Sequence, residues 1–154
     1  IMTTSCLPRR FSYFSNMEKK KILELTNASC KNTLMETLEI EYIDFGEDFL
    51  TAKMPVTPRV HQPDGVLHGG ATAALAESVG SAAVFILNKN PEAKVRGIEI
   101  TANHLKSVKS GFIYATAKPI HLGKTIQLWE INIVNEDQEK IAVCKLTTYT
   151  RSNL

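Results

Sequence analysis

One carboxylate stands out by its surroundings. Residues 68–88 (HGGATAALAESVGSAAVFILN) are rich in alanine, and Leu75, Val79, Val84, Phe85, Ile86 and Leu87 fall on nearly every face of a helix. Such a helix must be buried, yet Glu77 sits at its middle as the segment's single charged side chain. No Lys or Arg lies within two helical turns of it. Burying an isolated carboxylate costs several kcal/mol unless it is paired or changes protonation state. Desolvation raises the pKa of such a group, which suits a general base or a nucleophile. The plainer reading sets Glu77 in a polar cavity or against a distant cation such as Lys106. Ser81 follows one turn later, and Gly80 leaves space for a close neighbour or a ligand.

The same helix opens on His68-Gly69-Gly70. Backbone N–H groups in a first helical turn lack partners, and the helix dipole adds partial positive charge there. Two glycines remove side chains that would block approach, so this start can hold an anion or stabilise a developing oxyanion. Taken alone, it is also an ordinary glycine-rich helix start with a capping histidine. A carboxylate two and a half turns further along makes the chemical reading the stronger one.

The elements that must position these groups fit within one domain. The chain has 154 residues, 44% hydrophobic and 22% charged, ordinary for a globular protein. Its net charge of +2 resides in residues 1–16, which hold Arg9 and Arg10 and no acid; residues 17–154 carry 16 acids and 16 bases. A neutral body argues against nucleic acid or an anionic membrane as partner, since both are held by net positive charge. Cys6, Cys30 and Cys144 are widely spaced and form no CxxC pair. They fit neither a disulfide framework nor a zinc site, and free thiols suit a cytoplasmic protein. Arg9-Arg10-Phe11 superficially resembles an export signal, but Met17 runs directly into Glu18-Lys19-Lys20-Lys21, with no apolar stretch between. Residues 1–16 read as an extension that is disordered or outside the natural start, and 17–154 as the domain.

Within that domain, residues 18–27 predict a short charged helix and 32–38 another turn or two. Residues 38–45 and 49–56 predict two strands around Gly46-Glu47-Asp48, and the prolines and Asp64-Gly65 make 57–65 a loop. Four long strand candidates follow the apolar helix, at 95–106, 112–121, 125–135 and 140–151. Their short connectors predict an antiparallel meander. A sheet that curls round the helix would cover its apolar faces. One chain leaves a sheet edge open and part of the helix bare, so a dimer is expected.

The combined motifs resemble the hotdog-fold acyl-CoA thioesterases. Gln62-Pro63-Asp64-Gly65-Val66-Leu67-His68-Gly69-Gly70 followed by Leu75-Ala76-Glu77-Ser78-Val79-Gly80-Ser81 is similar to the glutamate-using branch. That branch includes the 4-hydroxybenzoyl-CoA and 1,4-dihydroxy-2-naphthoyl-CoA thioesterases, the latter of menaquinone synthesis. Residues 97–104 (GIEITANH), 118–123 (KPIHLG) and 146–148 (LTT) extend the resemblance over about residues 33–150. It implies an α+β hotdog fold, a six-stranded antiparallel sheet wrapped round a central helix. It also implies a homodimer with active sites between subunits, paired into a homotetramer.

By the same resemblance Glu77 is the catalytic carboxylate, attacking directly or activating water. The Gly69 N–H polarises the thioester carbonyl, Gln62 and His68 orient the acyl group or thiolate, and Ser81 helps to place water or the carboxylate. The coenzyme A positions are Gly97, His104, Leu105, Lys106 and Ser107, and His121, Leu122, Gly123, Lys124, Thr125 and Ile126. Lys106 stands where the branch often has Arg, so its phosphate contact is less bidentate. Lys109 joins Lys106 and Lys124 as a candidate phosphate ligand, and Phe85 and Val84 as candidate walls of the acyl pocket. The implied reaction is hydrolysis of an acyl-CoA, with neither metal nor redox cofactor and coenzyme A as part of the substrate. An aromatic acyl group is preferred, 1,4-dihydroxy-2-naphthoyl-CoA first.

Other readings share parts of this pattern. Hotdog dehydratases use a His-Phe-Pro element that this chain lacks. A non-catalytic acyl-CoA-binding hotdog domain would not need Glu77, and usually adjoins a DNA-binding unit for which the first 32 residues are too short. Thioesterases of phenylacetyl-CoA share HGG but generally place Asp in the helix. Medium-chain aliphatic acyl-CoA is a further substrate alternative.

Overall fold

A computed structural model describes residues 15–88 and 94–151, with Asn88 described by its backbone. The expected extension lies outside the described residues up to position 14. Helix α1 (Asn16–Ser29) starts on a capping box: Ser15 accepts from the Glu18 N–H, and the Glu18 carboxylate accepts from the Ser15 N–H. A short α2 (Leu34–Thr37), strands β1 (Glu41–Phe45) and β2 (Leu50–Pro55) and a single 3-10 turn (Pro58–Val60) follow. Then come α3 (Gly69–Asn88) and strands β3 (Lys94–His104), β4 (Phe112–Leu122), β5 (Ile126–Asn135) and β6 (Lys140–Arg151).

The strands form one antiparallel six-stranded sheet in the order β1-β2-β4-β5-β6-β3. β2 and β5 alternate buried and half-buried residues along their length. Period-two patterning of this kind turns one face of a sheet inward. On that face lie Leu50, Met54, Ile113, Trp129, Ile131, Ile133 and Leu146, all fully buried, against Leu75, Ala76, Val79, Ala83 and Val84 of α3. α3 is long and apolar enough to cross a bilayer, and here it is the helix the sheet wraps. Gly80 lets it come close: a Cβ there would lie 2.7 Å from Leu146 Cδ2.

Two expectations are corrected. The four later strands are not a sequential meander, because β3 pairs with β6 and β2 takes the place beside β4. Tight hairpin loops take about 2–5 residues, whereas the β3–β4 connection runs through 105–111. That stretch can reach about 23 Å when extended, against about 14 Å for three strand spacings. It crosses the end of the sheet, held by Leu105 and Lys106 N–H groups on the Ile141 carbonyl, Leu67 N–H on Val108, and Val56 N–H on Gly111. Gly111 makes the final bend at φ 85°, a conformation that favours glycine.

The second correction concerns Glu77, which is exposed on the protomer rather than buried, because it lies on the part of α3 that one chain leaves bare. The sheet takes one side and the α1–α2 segment faces another across a cavity, leaving Glu77 and Phe85 exposed. The β1 edge is closed by α1, whose Asn27 side chain bonds both the N–H and the carbonyl of Tyr42 at 2.8 and 2.9 Å. The β3 edge has no such cover among the described residues, and Ile98 lies there 58% exposed.

Candidate active site

Sequence-predicted residues fall into three groups on the protomer. The first is centred on Glu77. Its carboxylate rests over Gly97 of β3, where a Cβ would lie 2.7 Å from Glu77 Oε1. At this point β3 carries a bulge, with Gly97 opposite Thr148 but Glu99 opposite Thr147. Bulges recur beside active sites because they re-aim side chains. The structure thus sets Gly97 against the carboxylate itself. Glu77 and Ser81 line a cavity of ≈ 580 Å³ between α3 and the α1–α2 segment, within the range of about 300–1,000 Å³ typical of small-molecule sites. The α3 wall reads Ala74, Glu77, Ser78, Ser81, Ala82, Phe85 and Ile86, one stripe at helical spacing. Val84 belongs to the core instead, fully buried against the sheet, because it lies about 100° round the helix from Phe85.

The opposite wall was not legible beforehand. Thr26, Cys30, Leu34 and Met35 come from the α1–α2 segment, and Tyr42 from β1. Tyr42 donates its hydroxyl to the Ser78 carbonyl at 3.1 Å. Burial, with a smaller contribution from Cys30, pushes that hydroxyl well above the usual phenol range, so it stays protonated. Nothing in the sequence marks these residues beyond the apolar positions of a short charged helix.

The second group gathers at the start of α3. The Pro63-Asp64-Gly65 turn, with Gly65 at φ 78°, closes through Gly65 N–H on Gln62 O and Gln62 N–H on Val66 O. This brings Gln62 beside Gly69, His104, Leu105, Lys106 and Ser107 round a smaller cavity of ≈ 290 Å³. His68 caps the helix: its carbonyl accepts from Ala71 and Thr72, and its Nδ1 accepts the Gly70 N–H at 2.7 Å. Imidazoles explain both glycines. A Cβ on Gly70 would meet His68 Nδ1 at 2.9 Å, and one on Gly69 would meet His104 Nε2 at 2.9 Å. The Gly69 N–H has no acceptor among the described residues and lies at the positive end of the helix dipole. Lys106 is tied to Glu139 rather than to Glu77. That ammonium, with Asn135, holds the Glu139 carboxyl below the ordinary carboxylate range.

The third group, 121–126, spans the end of β4, the turn after it and the first residue of β5. His121 packs on Gly123, whose N–H bonds the Ile126 carbonyl at 3.1 Å. These residues line neither cavity. Among the described residues no three His, Cys, Asp or Glu side chains cluster as metal ligands do.

One distance governs the chemistry. Gly69 and Glu77 share a helix eight residues apart, about 12 Å along the axis. Groups that act on one carbonyl must each come within about 3–3.5 Å of it. On one helix the Gly69 N–H and the Glu77 backbone are therefore set well apart.

Comparison with known proteins assigns this arrangement to a family. A family model described as the Thioesterase superfamily matches residues 64–142. The proofreading thioesterase EntH of Cronobacter turicensis is 44% identical over 126 residues, 82% of this chain and 91% of that protein. A solved thioesterase from Haemophilus influenzae is 44% identical, covering 84% of this chain and 90% of that one at a TM-score of 0.81. A mutant thioesterase from Pseudomonas aeruginosa is 41% identical, covering 83% and 92%, at a TM-score of 0.80. The chain belongs to the Thioesterase superfamily, as a thioester hydrolase of hotdog fold.

Proposed function

We propose that the protein hydrolyses an aromatic acyl-CoA to the free acid and coenzyme A, with Glu77 as the working carboxylate. The observation that carries this is the position of Glu77 at the mouth of the ≈ 580 Å³ chamber, seated over Gly97. The chamber takes the acyl group, with Phe85 and Met35 offering apolar contact and Ser81 a hydroxyl beside the carboxylate. The Gly69 N–H polarises the thioester carbonyl, and Gln62 and His68 orient it. Because Gly69 and Glu77 of one copy are about 12 Å apart, the two act from different protomers of a homodimer, which pairs further into a tetramer. The open β3 edge and the bare α3 face are the surfaces that support this assembly.

Coenzyme A runs along 104–107 of one protomer and the 121–126 turn, and Lys106 leaves Glu139 to meet a phosphate. Glu77 either attacks the carbonyl carbon, expelling the thiolate and leaving a mixed anhydride for water to open, or takes a proton from the attacking water. Neither route asks for a metal or redox cofactor. The preferred substrate is 1,4-dihydroxy-2-naphthoyl-CoA, in the cytoplasm and within menaquinone synthesis. A second reading, a proofreading thioesterase of broad acyl range, is favoured by the name of the EntH relative and by the small residues Ala74 and Ala82 in the chamber wall.

The test is thiol release from a panel of aromatic and aliphatic acyl-CoAs by wild type and Glu77→Ala. The variant should lose about 10²–10⁴-fold in kcat. Undiminished hydrolysis would sink the role of Glu77, and turnover of aliphatic thioesters alone would sink the naphthoyl assignment.

A further inference from the structure

The inner face of the sheet carries a polar patch that the chemistry above leaves unused. Gln127 of β5 and Thr148 of β6 are cross-strand partners, with Trp129 and Thr150 two residues on along the same face. All four are buried. Gln127 Oε1, Trp129 Nε1, Thr148 Oγ1 and Thr150 Oγ1 have no hydrogen-bond partner among the described residues. Orphaned polar atoms are rare in protein interiors, and those that occur are ordinarily met by internal water.

Thr148 differs from the other three in its second neighbour. On the β3 side its partner is Gly97, the residue over which Glu77 rests. A Cβ on Gly97 would lie 2.7 Å from Glu77 Oε1 and 3.3 Å from Leu146 Cδ1, so the carboxylate occupies the place of the missing side chain. Cross-strand partners on one face have Cβ atoms about 5 Å apart. A water making two hydrogen bonds of about 2.8 Å spans that distance. The Glu77 carboxylate has no hydrogen bond or ion pair to any described residue, so Gly97 gives it a seat but nothing that fixes its torsion.

We propose that Thr148 is a positioning residue for Glu77. Its hydroxyl, buried behind Gly97, holds a water that hydrogen-bonds one carboxylate oxygen and leaves the other free for the reaction. Glycine at 97 is what lets the two groups meet, since any side chain there would stand between them. This inference rests on the reading of Glu77 as the working carboxylate.

The experiment compares wild type, Thr148→Val, Thr148→Ser and Glu77→Gln as full chains, by thiol release from the best substrate of the panel and by thermal melting. Thr148→Val keeps the volume and removes the hydroxyl. It should lower kcat about tenfold, the value of one hydrogen bond to a charged group, with KM and melting temperature little changed, while Thr148→Ser keeps the wild-type kcat. An idle hydroxyl gives the reverse pattern in Thr148→Val, full kcat and a higher melting temperature, because a methyl replaces an orphaned polar atom. That result would overturn the proposal. So would equal loss in Thr148→Ser, or a Thr148→Val that does not fold, since either makes the shape of the core the cause. An active Glu77→Gln would bring down the reading of Glu77 and this one with it. An inactive Glu77→Gln beside a fully active Thr148→Val would remove only the role of Thr148.

Discussion

Gly97→Ala separates the working geometry of Glu77 from the stability of the fold. The new Cβ would lie 2.7 Å from Glu77 Oε1, where ordinary contact begins near 3.4 Å, so the carboxylate must retreat by at least 0.7 Å. It can do so cheaply, being the far end of a flexible side chain on an exposed helix face. The Leu146 Cδ1 contact at 3.3 Å needs only a slight adjustment. Gly97 is not among the residues at positive φ, so alanine also gains about 0.4–1 kcal/mol by narrowing the unfolded ensemble. These small terms oppose each other, and the melting temperature should stay within a few degrees of wild type. Activity should not, because a misplacement near 1 Å can cost about 10²-fold. We expect kcat to fall by about 10–100-fold with KM for the acyl-CoA changed far less. Thiol release and a thermal melt on the same preparation read both quantities. A fully active, normally stable Gly97→Ala would refute the seat of Glu77 over Gly97 as the catalytic arrangement.

If Gly69, with its neighbour Gln62, and Glu77 serve one thioester from two protomers, then Glu77→Ala and Gln62→Ala homodimers should each be impaired. Mixing and reassembling them should restore part of the activity, and no recovery would argue that each protomer works alone. Lys106→Ala should raise KM for coenzyme A thioesters, more so at low salt, and leave the melting temperature nearly unchanged, since an exposed ion pair contributes little; an unchanged KM would remove Lys106 from the phosphate contact. The Ser15 backbone, and then its side chain, hold the Glu18 carboxyl below its ordinary value of 4.5. A depressed carboxyl stabilises the fold above its unfolded pKa and loses that contribution as pH falls through the folded one. Glu18→Ala should therefore lower the melting temperature at neutral pH but not in strong acid, and equal shifts at both would deny the capping box.

The element order and the apolar helix were legible because long strand-like runs are set off by short turn segments and because 68–88 has one carboxylate. The placement of β3 was not. Strand pairing depends on where a connector is held, and the Ile141, Leu67 and Val56 bonds that carry 105–111 across the sheet link residues far apart in sequence. The site was legible as residue types and only partly as places. Glu77 and the HGG start announce themselves by being out of character with an apolar run. The roles of the two glycines did not, because they are set by the His104 and His68 rings. The acyl chamber was half hidden for a similar reason. Its α3 wall follows from helical spacing, while Cys30, Met35 and Tyr42 come from elements whose packing no local pattern states.

The exposure of Glu77 changes the reason for singling it out without changing the choice. The argument from sequence took an apolar helix to mean that its one carboxylate is buried. In the protomer the sheet buries the side with Leu75, Val79 and Val84 completely, while Phe85 remains 44% exposed beside Glu77. An apolar residue kept on an open face costs the lone chain stability and gains it only when something covers it. The third face of α3 thus suits a cover that the described residues do not supply. The same cover would remove water from around Glu77 and bring to it the unpartnered Gly69 N–H that its own helix holds about 12 Å away. In the proposed homodimer, desolvation of the carboxylate and completion of the oxyanion site would be a single event, the docking of a second copy.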